Sequence, residues 1–359
     1  MSRIRVGFIG TGKKPEKAGL KGYAMAYQHA KGYAAIPDCE IVACADLVKE
    51  NGDAFAMAYG FEKVYTDYHQ MLAKEKLDIV SICTWPKLHA VMTIDCIKAG
   101  APAIHCEKPM ALTFGECREM LRLAEENGTK LTFNHQRRFG KPFRKTKELL
   151  DKGEIGRLIR MEAHVGDLYD GGCHWVDMMN YFNNETSAEW VIGQMDCREV
   201  KLAFGAPCEH QSVTNVKYKN GVTSITITGP NMQEVAPPLR MQGTDGVIEI
   251  GWSPKPGPML RYWKRGEADW GEVDCQGENF HGPGYVERAI ADIVDCYKTG
   301  RESELCAKNE FKAMEIVFGC YESARRRGRV DLPMDISDSP IIAMLESGEL
   351  KPSNDWRRG

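Results

Sequence analysis

The first third of the chain alternates short apolar runs with longer segments in which apolar residues recur at helical spacing. The apolar runs predict strands at residues 3–9, 40–45, 63–65, 78–83, 103–106 and 130–133. Helical periodicity lies between them, most clearly over 88–99 and 114–127. Strands that alternate with helices form parallel sheets covered on both faces. The pattern therefore predicts an N-terminal α/β domain with a doubly wound, Rossmann-type parallel sheet.

The pattern changes after Phe139. A predicted helix over 142–152 is followed by runs that alternate at period two and are joined by turn pairs such as Asn220-Gly221 and Asp245-Gly246. Two further helices are predicted over 285–299 and 309–327. The second part therefore reads as a C-terminal α+β domain with a large, mostly antiparallel open sheet.

Composition describes an ordinary globular protein. The chain has 359 residues, 43% hydrophobic and 27% charged, with a net charge of −3, so two domains are expected and nothing favours binding to nucleic acid. Its 13 cysteines are scattered and form no C-x-x-C pair, which is typical of reduced thiols. The N-terminus starts at once with a strand, and no run approaches the ~20 apolar residues of a membrane span. We expect a cytoplasmic protein with no membrane partner.

The first predicted strand leads into Gly10-Thr11-Gly12. Glycines at that turn let the backbone approach a pyrophosphate closely, although Gly-x-Gly alone also occurs in ordinary tight turns. Asp46 ends the second strand, where a carboxylate can bind both ribose hydroxyls of the adenosine and repel a 2′-phosphate. Together these residues predict a dinucleotide site that prefers NAD over NADP.

The spacing of this site is unusual. Gly10 and Asp46 are 36 positions apart, whereas the usual fingerprint has about 20. We predict an insertion over residues 13–21, with Pro15 where a third glycine would stand and the helix restarting near Gly22. The lysines of this insertion are expected to be solvated.

Two further motifs contain candidate catalytic residues. Glu107-Lys108-Pro109 follows the fifth strand, at the edge where doubly wound folds bind ligands, and a lysine there can stabilise a developing alkoxide. Downstream, Asp170 precedes a predicted helix whose first turn holds His174. Histidine is the natural general base near neutral pH, and a carboxylate partner fixes its tautomer. Taken singly, Lys108 also fits a surface lysine and His174 a capping or core histidine.

The two motifs together resemble the glucose-fructose oxidoreductase and inositol dehydrogenase family, also called Gfo/Idh/MocA. The Glu-Lys-Pro motif matches at 107–109, and Asp-x-Gly-x-His-x-x-Asp matches at Asp170, Gly172, His174 and Asp177. Further similar passages are Cys83-Thr84-Trp85-Pro86 with His89, and the segment 135–139. The resemblance covers most of the chain.

The resemblance implies an NAD-dependent oxidoreductase acting on CH-OH groups of a sugar, glycoside or cyclitol. It implies a catalytic Lys108 and a base His174 supported by Asp170, with no metal. The nicotinamide site would be lined by Thr84, Trp85, Pro86, His89 and Glu107. Trp85 is larger than expected for this family, which predicts either a narrower nicotinamide pocket or a different stacking of the ring.

Substrate contacts are predicted at residues that flank the motifs, namely Gln136, Arg137 and Tyr169, beside Lys108 and His174. Of Arg137 and Arg138, one is expected to point into the protein and one into solvent. Trp252, Tyr262, Trp263 and Trp270 fit either a sugar-stacking wall or core and subunit packing.

These observations predict a dinucleotide-binding domain over 1–133 and a substrate-binding and oligomerisation domain over 134–359, with the late helices able to pack back on the first. A homo-oligomer, dimer or tetramer, is expected from the resemblance and from the open sheet.

Other functions remain open at this point. Oxidation can be one step of glycoside cleavage, epimerisation or transhydrogenation, with NAD retained through the cycle. A non-catalytic NAD-binding regulator is disfavoured by Lys108 and His174. A metal-dependent isomerase using His164, Asp167, Asp170 and His174 has suitable ligand types but leaves the dinucleotide turn unexplained.

Overall fold

The computed structural model describes residues 3–15, 24–251 and 257–358. Contacts divide the chain into two compact units. The first comprises Met1–Ala111, Glu116–Gln136 and Gly284–Lys308, and the second comprises Leu112–Gly115, Arg137–Pro283 and Asn309–Gly359. Most of the predicted insertion, including Lys17 and Lys21, lies outside the described residues, as do Gly22 and Trp252.

The first unit is built on a parallel sheet of β1 to β6 in the order β3-β2-β1-β4-β5-β6. Its elements are β1 (Ile4–Ile9), α1 (Met25–Ala34), β2 (Cys39–Ala45), α2 (Lys49–Tyr59), β3 (Lys63–Tyr65), α3 (Tyr68–Lys74), β4 (Ile79–Ile82), α4 (Pro86–Lys98), β5 (Ala103–Cys106), α5 (Phe114–Asn127, whose first two residues belong to the second unit) and β6 (Lys130–Phe133). The strand order reverses between β1 and β4, and doubly wound sheets bind their ligands in the crevice at that point.

The second unit contains a mixed sheet of nine strands in the order β16-β15-β14-β13-β7-β12-β11-β8-β17 among the described residues. The elements that follow β6 are α6 (Lys141–Asp151), β7 (Leu158–Val165), α7 (Gly171–Phe182), β8 (Ala188–Asp196), β9 (Lys201–Ala203), β10 (Ala206–Cys208), β11 (Gln211–Tyr218), β12 (Thr223–Thr228), α8 (Met232–Val235), β13 (Leu239–Gly243), β14 (Gly246–Ile250), β15 (Leu260–Lys264), β16 (Gly271–Glu272), α9 (Tyr285–Thr299), α10 (Ala307–Arg326), β17 (Val330–Asp331) and α11 (Pro340–Glu346). Only β7 and β12 pair in parallel; the other described pairs of this sheet are antiparallel.

The late helix α9 belongs to the first unit, where it packs on α1. A Cβ on Gly32 of α1 would lie 2.9 Å from the side chain of Ile290, so a larger residue would push the two helices apart. The predicted fold class, a doubly wound parallel sheet followed by a mostly antiparallel open sheet, is confirmed. No helix in the described parts of the chain is long and apolar enough to cross a bilayer.

Candidate active site

The glycine turn lies at the carboxyl end of β1, where the sheet order reverses. Gly10 has φ +78°, and a Cβ there would lie 2.5 Å from the Cγ2 atom of Thr84. Gly12 also has a positive φ, +65°. Both positions therefore require glycine for backbone conformation, and Gly10 in addition for the close approach of the segment after β4. This cradle fits the pyrophosphate of a dinucleotide.

Asp46 follows β2 and binds the same turn. Its Oδ2 atom accepts hydrogen bonds of 2.9 Å from the Thr11 amide, the Thr11 hydroxyl and the Gly12 amide, and its Oδ1 atom accepts one from the Val48 amide. The carboxylate therefore shapes the phosphate loop as well as placing a negative charge where ribose hydroxyls are expected. The contacts to Thr11 and Gly12 were not predicted from sequence.

Lys13 and Lys14 are exposed at the start of the predicted insertion, which agrees with solvated lysines there. Pro15 is the last described residue before position 24, and α1 begins at Met25.

Four of the five predicted nicotinamide residues, Thr84, Trp85, Pro86 and His89, follow β4. Trp85 is 52% exposed and precedes α4, and Pro86 opens that helix. His89 has no exposed surface; its ring nitrogens lie 3.1 Å from the Thr84 carbonyl oxygen and 2.8 Å from that of Pro109. Burial lowers the pKa of His89. His89 therefore connects the segment that contains Thr84 to the Glu-Lys-Pro segment. Any effect of His89 on cofactor binding would come from holding these two segments in position.

Glu107 lies in a buried polar cluster that sequence reasoning missed. Its Oε1 atom accepts hydrogen bonds from His29 Nε2 at 2.9 Å and from Asn134 Nδ2 at 2.7 Å. Burial by itself raises the pKa of Glu107, but the hydrogen bond and charge of His29, the Asn134 amide and the Lys108 ammonium lower it to about 2. Glu107 is therefore a carboxylate at all ordinary pH values, and the partly exposed Lys108 follows it.

Two buried acceptors after β6 have no hydrogen-bond partner among the described residues. They are the side-chain oxygens Oδ1 of Asn134 and Oε1 of Gln136. A buried acceptor without a donor is costly, so these atoms fit a bound group that donates hydrogen bonds. The amide or the ribose hydroxyls of a nicotinamide nucleoside are such donors. The residues of this crevice therefore fit NAD.

The second unit places the histidine motif at the start of α7. Asp170 is the residue before the helix, and His174 lies four positions later, on the same side of the first turns. His174 is 6% exposed and Tyr169 3%. The predicted position of His174 in the first turn, with Asp170 just before it, is therefore observed. The catalytic and substrate-binding roles of these residues stay predictions.

The loop that leads into α7 is held by two carboxyl groups. Asp167 Oδ1 accepts hydrogen bonds from the amides of Asp170 and Gly171. Glu209 Oε1 accepts one of 2.7 Å from the Leu168 amide, and Glu209 Oε2 accepts one of 2.7 Å from the Tyr321 hydroxyl. Glu209 is 1% exposed, and burial together with the charge of Asp167 raises its pKa to about 7. Sequence reasoning missed Glu209, which is isolated along the chain from both motifs.

Arg138 corrects one expectation, because both arginines of the pair are buried. Arg138 Nη2 lies 2.6 Å from Asp177 Oδ1, with both side chains 1% exposed, and its Nη1 donates to Glu185. The guanidinium of Arg137 lies 4.5 Å from the centre of the Trp175 ring. The expectation that one points to solvent was wrong, because segment 136–139 is a 3₁₀ helix, and partners distant in sequence receive both side chains.

The residues considered for a metal-dependent isomerase do not form a metal site. Among the described residues, no group of three or more His, Cys, Asp and Glu side chains is arranged to hold a metal ion. His164 Nδ1 lies 2.9 Å from the Pro237 carbonyl oxygen, and Asp167 caps the backbone before α7.

Of the predicted aromatic wall, Trp263 donates to the Glu267 carbonyl oxygen, and Trp270 stacks on Arg261 at 4.0 Å. Tyr262 lies against Gly271. These contacts tie β15 to its neighbours, and the choice between sugar stacking and packing stays a prediction.

Sequence comparison decides the family. Residues 4–135 match the GFO_IDH_MocA group described as "Oxidoreductase family, NAD-binding Rossmann fold", and residues 157–332 match its "C-terminal alpha/beta domain". The chain belongs to this oxidoreductase family. The predicted resemblance and the NAD cofactor are thereby confirmed, and the first domain is an NAD-binding Rossmann domain.

Relatives of this family member have named substrates. Inositol 2-dehydrogenase of Salmonella paratyphi B is 26% identical over 232 residues, which cover 60% of this chain and 65% of that enzyme. The match therefore spans less than two thirds of that relative. D-apiose dehydrogenase of Paraburkholderia graminis is 22% identical over 90% of this chain and 91% of its own. The crystal structure of myo-inositol 2-dehydrogenase from Lactobacillus plantarum shares the fold, with a TM-score of 0.71 at 22% identity over 92% of this chain and 99% of that chain.

Proposed function

We propose that this protein is an NAD-dependent dehydrogenase that transfers a hydride to or from a secondary alcohol carbon of a sugar, glycoside or cyclitol. The observation that carries the proposal is that one family member contains both Lys108, directly after β5, and His174, in the first turn of α7. The names of the relatives, which act on inositol and apiose, favour a polyhydroxylated substrate.

In the direction of alcohol oxidation, the protein's residues handle the proton and the charge. Lys108 donates a hydrogen bond to the reacting oxygen and stabilises the negative charge that develops on it. His174 accepts the hydroxyl proton, and Asp170 orients its imidazole and stabilises the cation that forms. NAD held at the glycine turn and Asp46 would supply the acceptor for the hydride that leaves the carbon, so the products would be a ketone, reduced cofactor and a proton on His174.

Gln136, Arg137 and Tyr169 are proposed to contact the substrate. The buried oxygen of Gln136 fits a hydroxyl donor, which a sugar or cyclitol can supply as well as the ribose of the cofactor. Arg137 is held by the Phe280 carbonyl oxygen at 3.2 Å and by the Trp175 ring, so its guanidinium is fixed in place.

The test is an absorbance scan of the purified protein with added NAD and a panel of sugars, inositols and glycosides. The proposal predicts that one class of compound produces the near-ultraviolet band of reduced nicotinamide in proportion to the ketone formed. A compound that is cleaved or epimerised without net accumulation of reduced cofactor would contradict the dehydrogenase and favour a retained-NAD enzyme. No turnover and no spectral change with any compound would favour a regulator.

We also propose a homo-oligomer in which a second copy covers the open face of the nine-stranded sheet. Val191 and Gly193 of β8 face α10, so Ile192 between them points to the other face, where it is 44% exposed. Val213 on the adjacent β11 is 50% exposed. Exposed apolar residues on neighbouring strands suit an interface. Sedimentation should give a dimer or tetramer at micromolar concentration, and Ile192→Glu should shift it toward the monomer; a wild-type monomer would overturn the proposal.

We propose a cytoplasmic location on the strength of the thiols. The thirteen cysteines are scattered along the chain and contain no C-x-x-C pair, a pattern typical of reduced thiols in a reducing compartment. Fractionation of the cells that make the protein tests this, and recovery outside the cytoplasm would contradict it.

A further inference from the structure

A buried histidine of the first unit contacts the carboxyl ends of three strands. His29 lies on α1 and has no exposed surface. Its Nδ1 atom lies 2.9 Å from the Ser81 hydroxyl of β4 and 3.4 Å from the Cys83 sulfur just after it. Its Nε2 atom donates to Glu107 Oε1 at 2.9 Å, and the Asn134 amide lies 3.1 Å away. No motif of the family resemblance includes His29.

His29 and Glu107 form an ion pair. Burial lowers the pKa of His29, but the Cys83 sulfur and the Glu107 carboxylate outweigh it and raise the value to about 10. The pKa of Glu107 falls to about 2 for the corresponding reason, with His29 as the strongest lowering influence. At neutral pH the pair is therefore an imidazolium and a carboxylate with no net charge.

A second buried histidine lies beside the pair without sharing its charge. The ring of His105 is 4.8 Å from that of His29, centre to centre, and its Nδ1 atom lies 3.0 Å from the Thr132 hydroxyl. Burial lowers the pKa of His105 well below its usual value, and the charge of His29 lowers it further. His105 is thus a neutral neighbour at the same depth.

Because of the position of Glu107, the ion pair can affect how the site binds the nicotinamide ring of the cofactor. Asp46 and the glycine turn occupy the β1–β2 side of the crevice, which leaves the β4–β5 side, where Glu107 lies, for the nicotinamide half. The oxidised nicotinamide ring carries a positive charge and the reduced ring is neutral. A carboxylate near the ring therefore favours the oxidised cofactor, and a cation beside that carboxylate cancels the preference.

We propose that His29 is a positioning residue that neutralises Glu107 and so sets the relative affinity of the site for NAD+ and NADH. The proposal rests on the cofactor role given above. It predicts that loss of the imidazolium leaves the Glu107 carboxylate without its buried cation, with only the Asn134 amide and the Lys108 ammonium to offset its charge, so that NAD+ gains affinity relative to NADH.

The test is to measure the dissociation constants of both cofactors at pH 8 for the wild type and for His29→Gln, which retains an amide able to donate to Glu107. NAD+ and NADH differ in the charge and redox state of the nicotinamide ring, so the ratio of their dissociation constants reports on the charge around that ring. The ratio Kd(NADH)/Kd(NAD+) should rise about tenfold, which corresponds to about 1.4 kcal/mol. His105→Gln is the matched control: it replaces a neutral buried histidine and should leave the ratio unchanged.

An unchanged or lowered ratio in His29→Gln, or an equal rise in His105→Gln, would overturn the proposal. A wild type that binds neither cofactor would overturn it together with the proposed function, whereas normal binding of both with an unchanged ratio removes only the role of His29.

A measurement on the wild type covers the case in which the variant does not fold. In ¹⁵N-histidine spectra of the full chain, one of the nine histidines should remain protonated on both ring nitrogens at pH 8.5. This pH lies below the pKa of about 10 for His29, and most histidines titrate near neutrality. If every histidine is neutral at that pH, Glu107 has no compensating imidazolium and the proposal fails.

Discussion

The carboxyl group of Glu209 accepts a 2.7 Å hydrogen bond from the amide of Leu168, the residue that precedes Tyr169 and Asp170. A buried acid thus anchors the loop that brings the histidine motif to α7. The Thr228 hydroxyl also donates to Glu209 at 2.7 Å. The loop is therefore fixed from the sheet side by contacts that are independent of substrate.

We predict that Glu209 makes the protein less stable as pH rises from about 4.5 to about 7. Its pKa, about 7 when folded, is raised from 4.5 by burial and by Asp167. Between these values the folded chain keeps a proton that the unfolded chain has lost, so stability falls by about 3 kcal/mol in total. Glu209→Gln cannot titrate and should lose this decline. Urea unfolding at pH 5 and pH 8 measures it.

The control for this prediction is Thr228→Val, which removes one hydrogen bond to the same carboxyl group. It should cost about 1 kcal/mol at pH 5 and more at pH 8, because the Thr228 hydroxyl favours the ionised carboxyl group, so the decline of stability with pH should persist and steepen. Equal pH dependence in the wild type and Glu209→Gln would show that this group does not titrate differently on folding.

Asp177, the last residue of the histidine motif, forms a buried ion pair. It pairs with Arg138, both side chains being 1% exposed. Asp177→Ala leaves a buried guanidinium without its main partner and should lower the free energy of unfolding by about 3–5 kcal/mol. The double variant Arg138→Met with Asp177→Leu should recover much of that loss. Chemical denaturation checks both, and a single variant as stable as the wild type would contradict the prediction.

Local patterns sufficed for most of the first domain. Strand β5 (Ala103–Cys106), β6 (Lys130–Phe133) and α5 (Phe114–Asn127) have the predicted bounds, because buried parallel strands are continuous apolar runs and the helix ends at Asn-Gly. The glycine turn and both motifs could also be read from the chain, since each is a short run with fixed spacing.

The supporting residues could not be predicted in the same way. His29 and Glu107 are 78 positions apart, and Glu209 and Leu168 are 41 apart. Each contact depends on how strands and helices pack together in the fold, and the spacing of residues along the chain does not predict that packing. One signal was present: His29 is a polar residue on the face of α1 that also carries the buried Ala26, Ala30 and Tyr33.

Asp46 is predicted to select the cofactor. Asp46→Ala should weaken NAD binding and reduce the preference for NAD over NADP at least about tenfold, because a 2′-phosphate no longer meets a carboxylate. The substitution also removes the acceptor that holds the glycine turn. Thr11→Val separates the two effects, since it deletes one donor to Asp46 and keeps the charge. Thr11→Val should leave the ratio of the dissociation constants for NAD and NADP unchanged, and titration with both cofactors measures that ratio. An unaltered ratio in Asp46→Ala would show that Asp46 does not contact the ribose.

Substitutions of Lys108 and of His174 should change the pH profile of alcohol oxidation in different ways. A general base must be unprotonated, so activity falls on the acidic side as His174 gains a proton, and His174→Ala should lower kcat and abolish that limb. Lys108 acts as a cation on the developing oxyanion, so Lys108→Ala should lower kcat at every pH by a factor of about 10²–10³. Asp170→Asn should move the acidic limb to lower pH, because the imidazole loses its negative partner. If instead Lys108→Ala abolished the limb and His174→Ala kept it, a deprotonated Lys108 would be the base and the two roles would be exchanged.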